Sequence, residues 1–496
     1  MALAETPGAG AYFTIEVLDA HTGRGVPMVE LRTTGGIRLY TDSAGRAAFL
    51  EPGLMGRDVY LHISSHGYTY PADGFGYRGI AVHPTPAGSV QLKIERTNIA
   101  QRIYRITGQG IYRDSVMLGL DTPIREPVFN GRVIGQDSVI NVIYKEKLFW
   151  FWGDTARESY PLGHFRVSGA VSDLPAQGGL DPSIGVDLTY FVDDKGFSRP
   201  MAPFPEVESG VYWMDGLIVL PDDTDKERMV GHVSHMKSLG ERLDHGLVVF
   251  NDEAEIFETL KPLKDSQELH PAGHPFDVMI DGQRYIYFPR PYPLTRVPAQ
   301  WDALLDPDMY ESFTCLEPGT GYEDGAMKVH RDEQGRVIWD WKAGTSWIDH
   351  ARQNELIKAG ELEKDEIWIH TRDVESGEPI TLHGGSVTWN AYRQKWVMIA
   401  VQILGNSMLG EVWYSEADQP QGPWRWARRI VTHDDYTFYN PKHHPYFDQD
   451  GGRLIYFEGT YTDTFSGAKL PTPRYNYNQV MYQLDLADPR LKLPKE

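Results

Sequence analysis

Acidic and imidazole side chains recur at matching places through residues 99–496. Five segments share one pattern: VIGQDSVINVIYKEKLFWFWGDT, YWMDGLIVLPDDTDKERMVGHVSH, PAGHPFDVMIDGQRYIYFPR, LHGGSVTWNAYRQKWVMIAVQ and PKHHPYFDQDGGRLIYFEG. Most hold a polar residue, a small residue or proline, an apolar run, a turn and a second apolar run. Aligned, Asp137, Asp215, His274, Gly385 and His444 share the first position, while Asp154, His235, Arg290, Gln402 and Glu458 end the second run. Eight of these ten residues are Asp, Glu, His or Arg. Two carboxylates with pKa values pushed apart can divide acid and base work. Imidazoles beside carboxylates form sites for zinc or another transition metal.

The elements that must position them follow from the repeat. Two apolar runs joined by a turn make a hairpin, and a hairpin recurring at intervals of about 60 to 110 residues suggests the inner strands of divergent propeller blades. Inner strands run beside the axis, so their starts converge at one end of the channel. The antiparallel second strands bring their ends back to that face. The expected fold is therefore all-β: a five-bladed β-propeller over residues 99–496, preceded by a small β-sandwich domain over residues 1–98. Leu-Gly-Glu recurs after two second strands, ending in Glu241 and Glu411, which places both glutamates near the same face. SWIDHARQNELIKAGELEK has helical spacing and is expected outside the propeller.

Residues 12–95 read as short alternating strands separated by turns, with Asp42-Ser43-Ala44-Gly45 as a hairpin turn. Asp19, Thr22, Gly23, Val26 and Pro27, with Thr41-Asp42 and Gly45, resemble the transthyretin-like sandwich appended to carboxypeptidases and bacterial surface enzymes. The resemblance implies an accessory module. His62 and His66 read as ordinary strand and turn residues.

Composition narrows the partners. A net charge of −21 disfavours nucleic acid and anionic membranes, which recruit Lys and Arg. No apolar run is long enough for a membrane span. One cysteine, Cys315, rules out an intrachain disulfide. The 13 Trp and 27 Tyr suit a carbohydrate partner, with Trp152 and Tyr292 as candidate sugar contacts, although most aromatics serve packing. The opening MALAETPGAG lacks the features of a secretory signal, so either a cytoplasmic protein or one secreted or periplasmic after signal removal is expected.

GQDS followed by FWFWGDT resembles the opening blade of a bacterial propeller family that includes D-arabinan-degrading enzymes. More broadly, GSVTWNAYRQKWVMIAV, GEVWYSEADQPQGPW and NPKHHPYF resemble blades of the five-bladed arabinanase and furanosidase glycoside hydrolases, over about residues 125–490. The resemblance implies a base or nucleophile at Asp137, a second acid tuning pKa and binding hydroxyls at Asp215, and a glutamate as general acid. Where the pattern would place that glutamate, this chain has HPAGHP, so the candidates for the acid are Glu241, Glu411 and Glu458. Asp154, His235, Arg290 and Gln402 join Trp152 and Tyr292 as expected substrate contacts.

His270, His274, His383 and His444 are expected ligands for one divalent metal, calcium or zinc, near the axis, with no organic cofactor. Such a metal could instead serve a polysaccharide lyase, polarising a uronic carboxylate while His or Tyr takes the proton. A third alternative is a carbohydrate-binding propeller without catalysis.

Overall fold

The computed structural model describes residues 8–202, 210–321 and 327–494. The fold is all-β with a few short helices. At the front, two four-stranded sheets share one apolar cluster that includes Ile15, Val17, Leu31, Leu61, Ile63 and Leu92. The strand Phe13–Asp19 alternates buried and half-buried residues, the period-two pattern of a sheet with one buried face. Gly45 takes a φ of 76° at the expected hairpin, where a β-carbon would lie 2.5 Å from the Val26 nitrogen.

Five further sheets of four or five strands follow in chain order. Each contains an antiparallel hairpin whose first strands are Ile140–Tyr144, Val211–Pro221, Phe276–Ile280, Leu382–Asn390 and Thr437–His443. Local chemistry sets the hairpins. Asp281-Gly282, with φ of 49° and 83°, joins Phe276–Ile280 to Gln283–Phe288, the left-handed turn that Asp-Gly favours because it matches strand twist. Residues 350–358 are helical, and Asp349 caps the helix by accepting from the Arg352 amide at 2.7 Å.

The fifth sheet is completed from far away in sequence. Strand Gln101–Arg105 pairs antiparallel with Asn478–Asp485, so the start of the second region and the last strand are held in one sheet. Ile103 lies in that seam, buried with Tyr456 and Met481. Ile103→Ala should therefore lower unfolding stability by ~2–5 kcal/mol, read from the urea midpoint. An unchanged midpoint would show that this strand does not contribute to the core.

Two register expectations need correction. In the fifth sheet His444 does not start the inner strand; it follows the strand's last residue, His443, and its amide donates to Tyr456 O at 2.8 Å. The residues of that strand that reach a large cavity are instead Tyr439 and Asn440, at its middle. In the second sheet Asp215 pairs with His232, while His235 faces Tyr212. The strands begin earlier than expected. The fifth sheet's first hairpin strand starts at Thr437 and runs through Pro441 at a bulge between Tyr439 and Lys442. The second sheet's starts at Val211, four residues before Asp215, with a bulge between Asp215 and Ile218.

Candidate active site

A cavity of about 1000 Å³ opens where the first strands begin. Its wall includes Asp137, Trp213, Asp215, Glu241, His383 and Tyr439. Asp137 comes from the turn before the strand Ile140–Tyr144. Its Oδ2 accepts from the Tyr439 hydroxyl at 2.8 Å and its Oδ1 from the Asp154 amide at 2.9 Å. A glycine is required beside it, because a β-carbon on Gly153 would lie 2.5 Å from Asp137 Oδ1. Asn440 donates to Ser138 Oγ at 2.8 Å and ties the first and fifth sheets at this point.

Asp137 and Asp154 titrate together. Burial raises the pKa of Asp137 against the opposing pull of its Tyr439, Tyr477 and Asp154 hydrogen bonds. Burial, and then the charge of Asp137, push Asp154 up to about 7. The Oδ1 of Asp154 is buried without a hydrogen-bond partner, which favours the neutral acid. Both carboxyls of the pair are thus held above the ordinary aspartate range, and its cavity-facing member is Asp137.

Asp215 is tuned the other way. Burial alone would raise its pKa, but contact with His232, the Arg290 guanidinium and the Gly273 amide outweigh it and hold the carboxyl below its ordinary value. Its Oδ1 lies 2.9 Å from His232 Nδ1, and its Oδ2 accepts from Gly273 N at 3.2 Å. The side chain remains 43% accessible and faces the cavity. Gly216 beside it has a φ of 62°, and a β-carbon there would lie 2.4 Å from the Pro271 carbonyl carbon.

The remaining expected site residues divide clearly. Of the three candidate glutamates, Glu241 lines the cavity, exposed and paired with Lys237 at 2.8 Å. Glu411 is buried behind the cavity wall, where it accepts from the Asn406 amide at 2.9 Å and from Thr432 Oγ1 at 3.2 Å. Glu458 is fully buried, with Oε1 2.9 Å from His444 Nε2, and burial raises its pKa well above the usual range.

Trp152 reaches the cavity but is only 1% exposed and stacks on Trp150. Trp213 is more open than Trp152, and Phe465, also on the wall, is 45% exposed. Tyr292 is buried and bonded to Thr371, Gln402 accepts from Trp413 Nε1 at 2.9 Å, and His235 stacks on Tyr212. None of these three is among the described lining residues of the cavity. Arg290 sits against His270 and over the Trp347 ring.

The four expected metal ligands are not brought together. His383 is on the mouth, His270 is buried near Asp215, and His274 lines a second cavity of about 370 Å³ together with Lys442 and Asn141. His444 is buried beside Glu458, its Nδ1 2.9 Å from the Tyr446 hydroxyl. Lys442 is pushed down to about 7 by burial, opposed by Glu458. Sequence reading missed Tyr439, Asn440, Trp213, His232 and His245. His232 could have been found from the alternation in VGHVSH, which puts His232 and Ser234 on one strand face and Val233 and His235 on the other.

No protein-family model matches the chain, and no curated relative matches it. Among solved structures, the chain is similar to an exo-β-1,3-galactanase from Phanerochaete chrysosporium with galactose, at TM-score 0.39 and 10% identity over 79% of this chain and 67% of that one. It is also similar to a thermostable family-43 glycoside hydrolase, at TM-score 0.33 and 11% identity over 73% of this chain and 95% of that one. An exo-1,5-α-L-arabinanase from a bovine ruminal metagenomic library gives TM-score 0.34 and 10% identity over 73% and 99%. At such low scores and identities, the chemistry has to rest on this chain's own residues.

The raised pKa of Asp154 has a measurable consequence. The folded protein keeps a proton on this side chain up to about 7, whereas an unfolded Asp loses it near ~3.9. The folded state binds more protons between those limits, so this group makes stability fall as pH rises from ~4 toward neutrality and stay level above. Asp154→Asn removes that loss. The variant should gain at least ~1 kcal/mol over the wild type at pH 8 relative to pH 4, since a tenfold change in proton affinity is worth ~1.4 kcal/mol. Parallel stability profiles in denaturant titrations would show that Asp154 ionises as a free aspartate does.

Proposed function

We propose that the chain is a glycoside hydrolase that cleaves a glycosidic bond in a poly- or oligosaccharide at the mouth of the large cavity. The five sheets are then the blades of a propeller over residues 99–496, and residues 1–98 are a transthyretin-like accessory sandwich. The observation that carries this reading is the opposed tuning of two acidic groups on one cavity wall. The Asp137–Asp154 pair retains a proton, and Asp215 is held ionised. Splitting the ionisation of two carboxyls is how one site supplies both an acid and a base near neutral pH.

In this reading Asp137, whose pKa burial raises, gives its proton to the leaving oxygen. Asp215 acts as base toward water or as nucleophile toward the sugar, according to its distance across the bond. This departs from the roles the family resemblance implies, which make Asp137 the base or nucleophile, Asp215 the acid that tunes pKa and binds hydroxyls, and a glutamate the general acid. Trp213 offers an aromatic face for a sugar ring, and the acidic wall favours a neutral saccharide. A secreted or periplasmic setting fits a polymer substrate.

Leaving-group dependence tests the division of labour. Asp137→Asn should lower turnover of arabinan or galactan oligosaccharides by ~10²–10⁴-fold while sparing aryl glycosides whose leaving group needs no proton. Asp215→Asn should lose activity on both. Either variant turning over oligosaccharide at the wild-type rate would remove its residue from the chemistry. Growth of the ultraviolet absorbance of an unsaturated uronide would replace hydrolysis with elimination.

A further inference from the structure

Beside the cavity, behind Asp215, three buried imidazoles meet. His232, His245 and His270 are 2%, 4% and 6% exposed, and each offers a ring nitrogen within 4.8 Å of the others'. Among the described residues no other set of three or more His, Cys, Asp or Glu side chains converges this closely. They come from two neighbouring strands of the second sheet, Glu227–Ser238 and Glu241–Asn251, and from the segment that leads into the third.

Proton counting shows what they lack. His232 Nδ1 lies 2.9 Å from the carboxylate of Asp215, His232 Nε2 lies 2.9 Å from His245 Nδ1, and His245 Nε2 lies 2.9 Å from the carbonyl oxygen of Lys264. Both ends of this chain of contacts are acceptors. Two neutral imidazoles carry one N–H each, enough for the two outer contacts. The inner contact then sets one nitrogen lone pair against another, an arrangement that requires a cation between them. His270 repeats the pattern. Its Nδ1 lies 2.9 Å from the Pro271 carbonyl oxygen, which leaves Nε2 as a lone pair, and its ring stacks on His232 with centroids 3.8 Å apart.

We infer that His232 Nε2, His245 Nδ1 and His270 Nε2 bind a divalent transition metal of the zinc class. Each ring's other nitrogen faces a carboxylate or a backbone carbonyl, the outer partner that fixes the tautomer of a metal-bound histidine. Three imidazoles leave a fourth tetrahedral position for water. Zinc–nitrogen bonds of ~2.0–2.1 Å place ligand nitrogens about 3.4 Å apart, so the His232–His245 contact opens by roughly half an ångström on binding. Arg290 Nη2 is 3.2 and 3.3 Å from the two nitrogens of His270. Being nearly equidistant, it addresses neither lone pair along its axis. The charge of Asp215 faces both Arg290 and the site. The competing occupant of the inner contact is a proton, which would make His232 an imidazolium paired with Asp215.

Metal stoichiometry decides between them and needs no substrate, so its outcome is independent of the hydrolase reading. The full chain, expressed with zinc and dialysed, should retain about one zinc per chain by elemental analysis. Cobalt loading should give the visible absorption of a four-coordinate site. His245→Ala and the milder His245→Gln should each lower retained zinc at least tenfold, and zinc should raise the thermal midpoint of the wild type, because a ligand of the folded state stabilises it. A folded wild type that retains less than a tenth of an equivalent, with no zinc-dependent shift, would overturn the proposal in favour of the buried proton. Loss of zinc in His274→Ala or His444→Ala but not in the His245 variants would overturn it in favour of a site at the axis.

Discussion

Two carboxyl groups on one cavity wall ionise alike unless their surroundings differ, and much of the local architecture serves to make them differ. The Asp137 carboxylate reaches the Asp154 amide because Gly153 has no side chain in the way. Burial first, and the charge of Asp137 second, raise the pKa of Asp154, so the pair holds a proton. Asp215 is given the opposite surroundings, a backbone amide, an imidazole and a guanidinium.

Longer-range features hold these groups in place. Tyr439 and Asn440 bind Asp137 and Ser138 from the far end of the chain, so the site exists only once the fifth sheet has come back to the first. That return is secured by strand Gln101–Arg105 pairing with the last strand. The front region is fastened to the same seam: Arg102, on that strand, donates to the carbonyls of Pro27 and His66 at 3.1 and 3.0 Å. Asp42, in the front hairpin turn, accepts from the Ser115 amide at 2.7 Å.

The sequence made some of this legible and hid the rest for physical reasons. Apolar hairpins closed by turns such as Asp281-Gly282 are visible as hairpins, and they bring Asp137, just before Ile140–Tyr144, and Asp215, inside Val211–Pro221, to one cavity wall. The fifth inner strand was obscured by Pro441, a residue that ordinarily argues against a strand interior. Its strand, Thr437–His443, tolerates the proline at a bulge, so the histidines after it looked like a beginning when they are an end. The His232–His245–His270 cluster was hidden more deeply. It depends on cross-strand pairing and on a segment from the next sheet, and linear spacing records neither. Asp154 was visible as a polar strand end, but its raised pKa follows from its burial and from the charge of Asp137, which only the fold supplies.

The central claim is the split in ionisation across the cavity, and carbon-13 NMR of aspartate carboxyls reads it without any substrate. With Asp137→Asn, Asp154→Asn and Asp215→Asn spectra for assignment, the wild type should show the Asp137–Asp154 pair completing its titration near pH 7 and Asp215 titrating below the ordinary range for aspartate, ~3.9. All three carboxyls titrating together near that ordinary value would contradict the account.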